Sequence, residues 1–193
     1  MFGTSYEIGR VFGVPIKLDI SLIVLALWLW FLAGNLIEGL MAGMILMLSV
    51  ALHELGHTYA SLKFGYRVKD ITLMLIGGRA SLLDMPREPW KEFVVAASGP
   101  LISGVLWLGG RQLAQALAPV SPILWDVFYW LARINKVLFL FNLLPAFPMD
   151  GGRLLRAGLA QRIGRLRATF IASRIGRVLA VLMGLYGLFN GRW

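Results

Sequence analysis

Five long apolar stretches, at about residues 20–37, 40–62, 93–118, 123–144 and 171–189, leave this chain few ways to fold outside a lipid bilayer. Each approaches the ~20 residues that a helix needs to cross the hydrocarbon core. Hydrophobic residues make up 58% of the chain and charged residues 15%, a balance foreign to soluble domains. The reading is an all-α polytopic membrane protein with five predicted transmembrane helices. The first stretch follows Arg10 and Lys17 as a secretory signal would, but it lacks a small-x-small cleavage site and reads as a retained anchor. The exception to helix lies between the second and third stretches. There Val68-Lys69-Asp70-Ile71-Thr72-Leu73 partly alternates and Gly77-Gly78 reads as a turn, which predicts a small β-hairpin. With no cysteine, the chain has neither disulfides nor thiolate ligands.

A net charge of +9 would suggest nucleic acid in a soluble protein, but its distribution follows the membrane instead. Lys63, Arg67, Lys69, Arg79, Arg87 and Lys91 lie between the second and third stretches. Arg153, Arg156, Arg162, Arg165, Arg167, Arg174 and Arg177 follow the fourth. The connection at residues 35–39 has no basic residue, and the one at 111–122 has a single arginine. Under the positive-inside rule the basic loops and the amino terminus are cytoplasmic. No aromatic-basic module accompanies the charge, so nucleic acid is not an expected partner.

The chain has two histidines, and both fall within His53-Glu54-Leu55-Gly56-His57. On a helix, positions i and i+4 share a face, so the two imidazoles can reach one metal. Glu54, roughly 100° around the helix, can act as general base without ligating, which is the H-E-x-x-H arrangement of zinc peptidases. Such a pattern also arises by chance on buried helices. Here it closes an almost wholly apolar run, where ionisable groups are functional candidates by default. It sits near the inner end of the second helix, so its chemistry opens toward the cytoplasm.

A catalytic zinc normally takes three protein ligands, and the third here must come from oxygen. Glu88 and Glu92 are candidates on the soluble-zincin pattern, but they neighbour Arg87 and Lys91 and read as a solvated, charge-paired face. Asp150 follows Asn142-Leu143-Leu144-Pro145-Ala146-Phe147-Pro148-Met149 and precedes Gly151-Gly152-Arg153. The prolines break helical hydrogen bonding and the glycines permit a tight turn. Broken backbone at membrane depth survives only against protein or a water-filled cavity. An aspartate presented there is well placed to meet a metal; the alternative is an interfacial turn capped by its side chain.

These two segments together resemble the site-2 proteases, intramembrane zinc metalloproteases of regulated intramembrane proteolysis, and the compact microbial type in particular. Lesser matches are Gly77-Gly78 and Ser98-Gly99-Pro100, and the resemblance runs from about Gly9 to Asn190. It implies one zinc per chain held by His53, His57 and Asp150, Glu54 as base, and Asn142 binding substrate or the oxyanion. It implies transmembrane protein substrates, such as membrane-tethered regulators, and a multi-pass cell-membrane location. Members usually carry a sixth helix, and many carry a nucleotide-binding regulatory domain. Residues 1–193 are expected to form a single transmembrane metalloprotease domain without either. Arg79 departs from the family, where an apolar residue commonly follows the glycine pair. Arg133 and Lys136, inside the fourth stretch, are expected to face the bundle or a cavity.

Two other function classes fit parts of the pattern. A different membrane zincin would share H-E-x-x-H and take a glutamate as third ligand, and the Asp150 segment argues against it. A metal transporter or inactive scaffold would show ligands on several helices or internal repeats, or a damaged ligand set. The hairpin at residues 68–83 is either an ordinary interfacial hairpin or an exposed edge on which an unwound substrate strand can pair.

Overall fold

The structure, a computed structural model, describes residues 5–74, 77–83 and 88–190. Asp84 and Arg87 of the basic loop therefore lie outside the described residues. Strands β1 (Ser5–Val11) and β2 (Val14–Asp19) open the chain, followed by helices α1 (Ser21–Ala33) and α2 (Leu36–Lys63). Strands β3 (Val68–Met74) and β4 (Gly77–Leu82) come next, then α3 (Pro89–Leu117), α4 (Pro122–Asn142), α5 (Asp150–Ile163) and α6 (Arg165–Asn190). The protein is mostly helical with one small sheet.

Local chemistry sets the boundaries. The Asn35 side chain caps α2 by accepting from the Ile37 amide at 2.9 Å, and Glu38 and Lys63 complement the dipole at its two ends. Pro89 and Pro122 start α3 and α4, where a missing N–H costs nothing. Gly164, at φ 79°, separates α5 from α6.

The sheet is larger than the expected hairpin. Its order is β1-β2-β3-β4, with β2 parallel to β3 (Ile16 beside Ile71) and the outer pairs antiparallel. Phe12 and Gly13 both have positive φ, as a two-residue type I′ turn demands, and Phe12 packs on Tyr59 of α2 with ring centroids 5.7 Å apart. Gly77 and Gly78, read from sequence as a turn, are instead the first residues of β4, opposite Met74 and Leu73. Val14, Ile71 and Leu73 bury against Val50 of α2, so the sheet is docked on the helix that carries both histidines.

Three described helices, α2, α3 and α6, are long and apolar enough to cross a bilayer. The expected count of five is not established. With 13 residues, α1 spans about 20 Å, short of the ~30 Å core. The remaining apolar stretch, α4, carries Asp126, Arg133 and Lys136. Neither of those two cations is buried in the bundle. Both are exposed: Arg133 donates to the Tyr129 hydroxyl at 3.1 Å and lies over Trp130, and Lys136 lies over Trp107. Aromatic faces offset the cost of such charges near an apolar surface. The residue of that turn that does turn inward is Asn135, fully buried, which donates to Ser49 Oγ on α2 at 2.8 Å.

A partly buried ion pair, Lys17 Nζ to Asp70 Oδ2 at 2.9 Å, ties β2 to β3. Burial alone would raise the Asp70 pKa, but hydrogen bonds from Lys17 and Ser81 outweigh it and hold the carboxyl below its ordinary range. A depressed carboxylate pKa contributes stability above the unfolded value, lost as pH falls through the folded one. Amide hydrogen exchange in residues 14–19 is therefore expected to accelerate as pH drops below about 4, beyond the intrinsic pH trend, in wild type but not in Asp70→Asn. Equal acceleration in both proteins would count against the link.

Candidate metal centre

On α2, His53 and His57 are both buried, their rings edge to face with centroids 4.9 Å apart. The third ligand candidate, a carboxylate, arrives from a distant part of the chain. After α4 ends at Asn142, the backbone turns through Ala146 N–H to Leu144 O and Met149 N–H to Ala146 O, and α5 begins at Asp150. Prolines 145 and 148 keep this segment from continuing α4. Asp150 thus stands in the first turn of α5, where the helix dipole favours an anion.

The three side chains converge on one point. Asp150 Oδ2 lies 3.1 Å from His53 Nε2 and 3.0 Å from His57 Nε2, and the two nitrogens are 3.2 Å apart. The other carboxylate oxygen, Oδ1, faces Arg153 at 3.6 Å. Among the described residues, these three form the group of histidines and carboxylates able to hold a metal ion.

The residues fit zinc on two counts. Tetrahedral zinc with bonds of about 2.0–2.1 Å separates its ligand atoms by about 3.3–3.4 Å, close to the triangle observed. The partners of the outer ring nitrogens also suit zinc. His57 Nδ1 lies 2.7 Å from Val95 O, a carbonyl that can only accept, so the proton is on Nδ1 and the Nε2 lone pair faces the centre. His53 Nδ1 lies 2.9 Å from Ser103 Oγ, which can take the same proton. Two lone pairs and a carboxylate oxygen aimed at each other repel unless a cation lies between them.

Helix α3 closes one side of the centre at Gly99. A Cβ there would collide with His57 Nε2 and lie 2.7 Å from His53 Nε2, so only glycine permits the approach. Ser98-Gly99-Pro100 was visible in sequence as a motif. Val95 and Ser103 were not, since one acts through its backbone and the other reads as a small packing residue.

Glu54 points to the sheet. Its Oε2 accepts from the Ala80 amide of β4 at 3.0 Å. A Cβ on Gly78 would lie 2.6 Å from Glu54 Cγ and 2.8 Å from Val50 Cγ1, so the missing side chain lets β4 pass close to α2. Asn142 is half-buried, and its Nδ2 donates to Leu138 O at 3.0 Å, back into α4 rather than toward the ligand triangle.

The competing carboxylates are engaged elsewhere. Glu88 is exposed and bonded to Lys91 and Trp90, and Lys91 holds its carboxyl below the ordinary range. Glu92 corrects the sequence reading: it is not on a solvated face but 3% exposed, and it pairs with Arg156 of α5.

The model of peptidase family M50 matches residues 41–110 and 109–183, segments that contain all three ligand candidates. This chain belongs to that family. It is 38% identical over 191 residues to a zinc metalloprotease of Methanocaldococcus jannaschii, covering 96% of this chain and 55% of the relative. It is 32% identical over 165 residues to the stage IV sporulation protein FB of Bacillus subtilis, covering 84% of this chain and 56% of that protein. The chain spans about half the length of these curated relatives. Among solved structures it matches a site-2 protease from Methanocaldococcus jannaschii at 34% identity and a TM-score of 0.70, covering 97% of this chain and 87% of that one. Membership of a family with zinc metalloproteases agrees with the donor set derived above.

Gly99→Ala is expected to weaken zinc binding by about tenfold or more, because the added methyl must push imidazoles that are pinned at Nδ1. Competition with a chromogenic chelator measures it. Wild-type affinity in the folded variant would show that α3 has slack at this point.

Proposed function

We propose that this chain is an intramembrane zinc metalloprotease that hydrolyses peptide bonds within or near transmembrane segments of membrane proteins. His53, His57 and Asp150 hold the zinc, and Glu54 is the general base. The observation that carries this reading is the 3.0–3.2 Å triangle of Asp150 Oδ2 and the two Nε2 atoms, with Glu54 beside it on the same helix.

Zinc in such a set supplies Lewis acidity, acidifying water and polarising a carbonyl. The chain's own residues do the rest. Glu54 takes a proton from the attacking water and returns it to the amine as the peptide C–N bond breaks. The Ala80 amide fixes its carboxylate at 3.0 Å, so the base is held rather than free to rotate. Asn142, at the end of α4, can meet the developing oxyanion once its amide leaves Leu138 O. Burial of all three ligands below one-tenth exposure excludes bulk water from the chemistry.

A transmembrane helix conceals its peptide carbonyls, so the substrate must unwind to react. Strand β4 is an edge of the sheet and already reaches Glu54, which supports strand addition there as the way an unwound segment is presented. The substrates that fit are membrane-tethered proteins, regulators among them. The alternating loop charges support a cytoplasmic opening: Lys63 and Arg67 flank the inner end of α2, while residues 35–39 carry no cation.

Glu54→Gln is expected to keep zinc and lose cleavage of a transmembrane substrate by about 10²–10⁴-fold, since it removes only the proton acceptor. Purified protein assayed with and without a chelator reads both, and turnover near wild type would sink the assignment. For orientation, thiol labels at residues 63–70 and 153–165 are expected to react from the cytoplasm and one at 35–39 from the opposite side. A cytoplasmic label at 35–39 would invert the site.

A further inference from the structure

We propose that Glu92 is a positioning residue for the metal centre: its ion pair with Arg156 pins α5 to α3 and so sets where Asp150 stands relative to His57. The inference rests on the zinc-site reading above. Glu92 lies in the first turn of α3, 3% exposed. Its Oε1 accepts from Arg156 Nε at 2.9 Å and from Nη2 of the same guanidinium, while Oε2 faces Arg165 of α6 at 3.5 Å. Two N–H groups of one planar guanidinium converging on the same carboxylate oxygen make a charge-assisted contact that holds the two side chains together.

Each end of this pair connects rigidly to one ligand. One helical turn beyond Glu92 on α3 is Val95, whose carbonyl orients the His57 ring, and a further turn on is Gly99, against both imidazoles. On α5, Arg156 shares a short helix with Asp150, and its guanidinium also lies over the Phe147 ring in the segment that delivers Asp150. At the start of α5, Gly151 and Gly152 lie against the backbone of residues 143–147, so the turn that delivers Asp150 and the helix that carries Arg156 move as one piece. The ion pair is a directional contact that fixes this piece to α3. Neutralising Glu92 leaves a partly buried guanidinium uncompensated, which drives Arg156, and α5 with it, toward solvent.

Arg165 separates positioning from general support, because it ties the same carboxylate to α6, which carries no ligand. The experiment measures zinc affinity by chelator competition, and thermal stability of the metal-free protein, in detergent for wild type, Glu92→Gln, Glu92→Asp, Arg156→Met and Arg165→Met. Glu92→Gln and Arg156→Met are expected to weaken zinc by about tenfold or more, Glu92→Asp to recover most of the loss, and Arg165→Met to bind as wild type. If Glu92→Gln does not fold, Arg156→Met carries the test. Wild-type zinc affinity in Arg156→Met overturns the proposal. So does a loss in Arg165→Met that matches the others and tracks the drop in stability, which is what simple structural support predicts. A wild-type protein that takes up no zinc, or a His57→Ala variant that takes up as much, would instead defeat the zinc-site reading beneath it.

Discussion

The contact on which the rest of the structure depends is the approach of α3 to α2 at Gly99. Here the two helices come close enough for the carbonyl of Val95 and the hydroxyl of Ser103 to reach the outer nitrogens of His57 and His53. The Val95 carbonyl, which can only accept, keeps the His57 proton on Nδ1 and leaves the Nε2 lone pair facing the centre, and Ser103 is able to accept the same proton from His53. The interior polar groups nearby follow the same logic. Asn135 reaches across from α4 to Ser49, one turn before His53, so the histidine helix is hydrogen-bonded on two flanks within an apolar bundle.

The convergence of His53, His57 and Asp150 was legible in the sequence because residues of this kind are chemically scarce there. A chain with two histidines, no cysteine and ten acidic residues offers few ways to build a three-ligand site. Helical register supplied the first two positions, and the doubly broken proline segment marked the third. The site's supports were hidden because they act over long separations. Glu92 has Lys91 beside it and reads as a surface pair, yet its partner is 64 residues away in sequence. Strands β1 and β2 were missed for a related reason. Gly9 breaks the alternation of β1 at a register shift, and β2 finds its partner in parallel across α1 and α2, which no local pattern can announce. Arg133 and Lys136 were placed inward because charge in an apolar stretch is costly, but neighbouring aromatic rings offered a surface solution.

The sheet is then more than an appendage to the bundle. Its core residues bury against Val50, and its outer strand supplies the amide that meets Glu54, so the same layer steadies α2 and reaches the proposed base. The candidate metal ligands come from α2 and α5, the contacts that orient them from α3, and the amide that meets Glu54 from β4. The proposed site is thus assembled from four elements.

The parallel pairing of β2 with β3 also imposes a rule of parity on the membrane. Ile16 and Ile71 lie side by side in one sheet, yet α1 and α2 run between them. A sheet cannot be shared across a bilayer, so residues 16 and 71 are on the same face. Whatever path the chain takes through α1, it must be undone by α2, and the two helices enter the membrane as a returning pair or not at all. This holds for any distribution of lysine and arginine in the loops, because it follows from hydrogen bonds already formed.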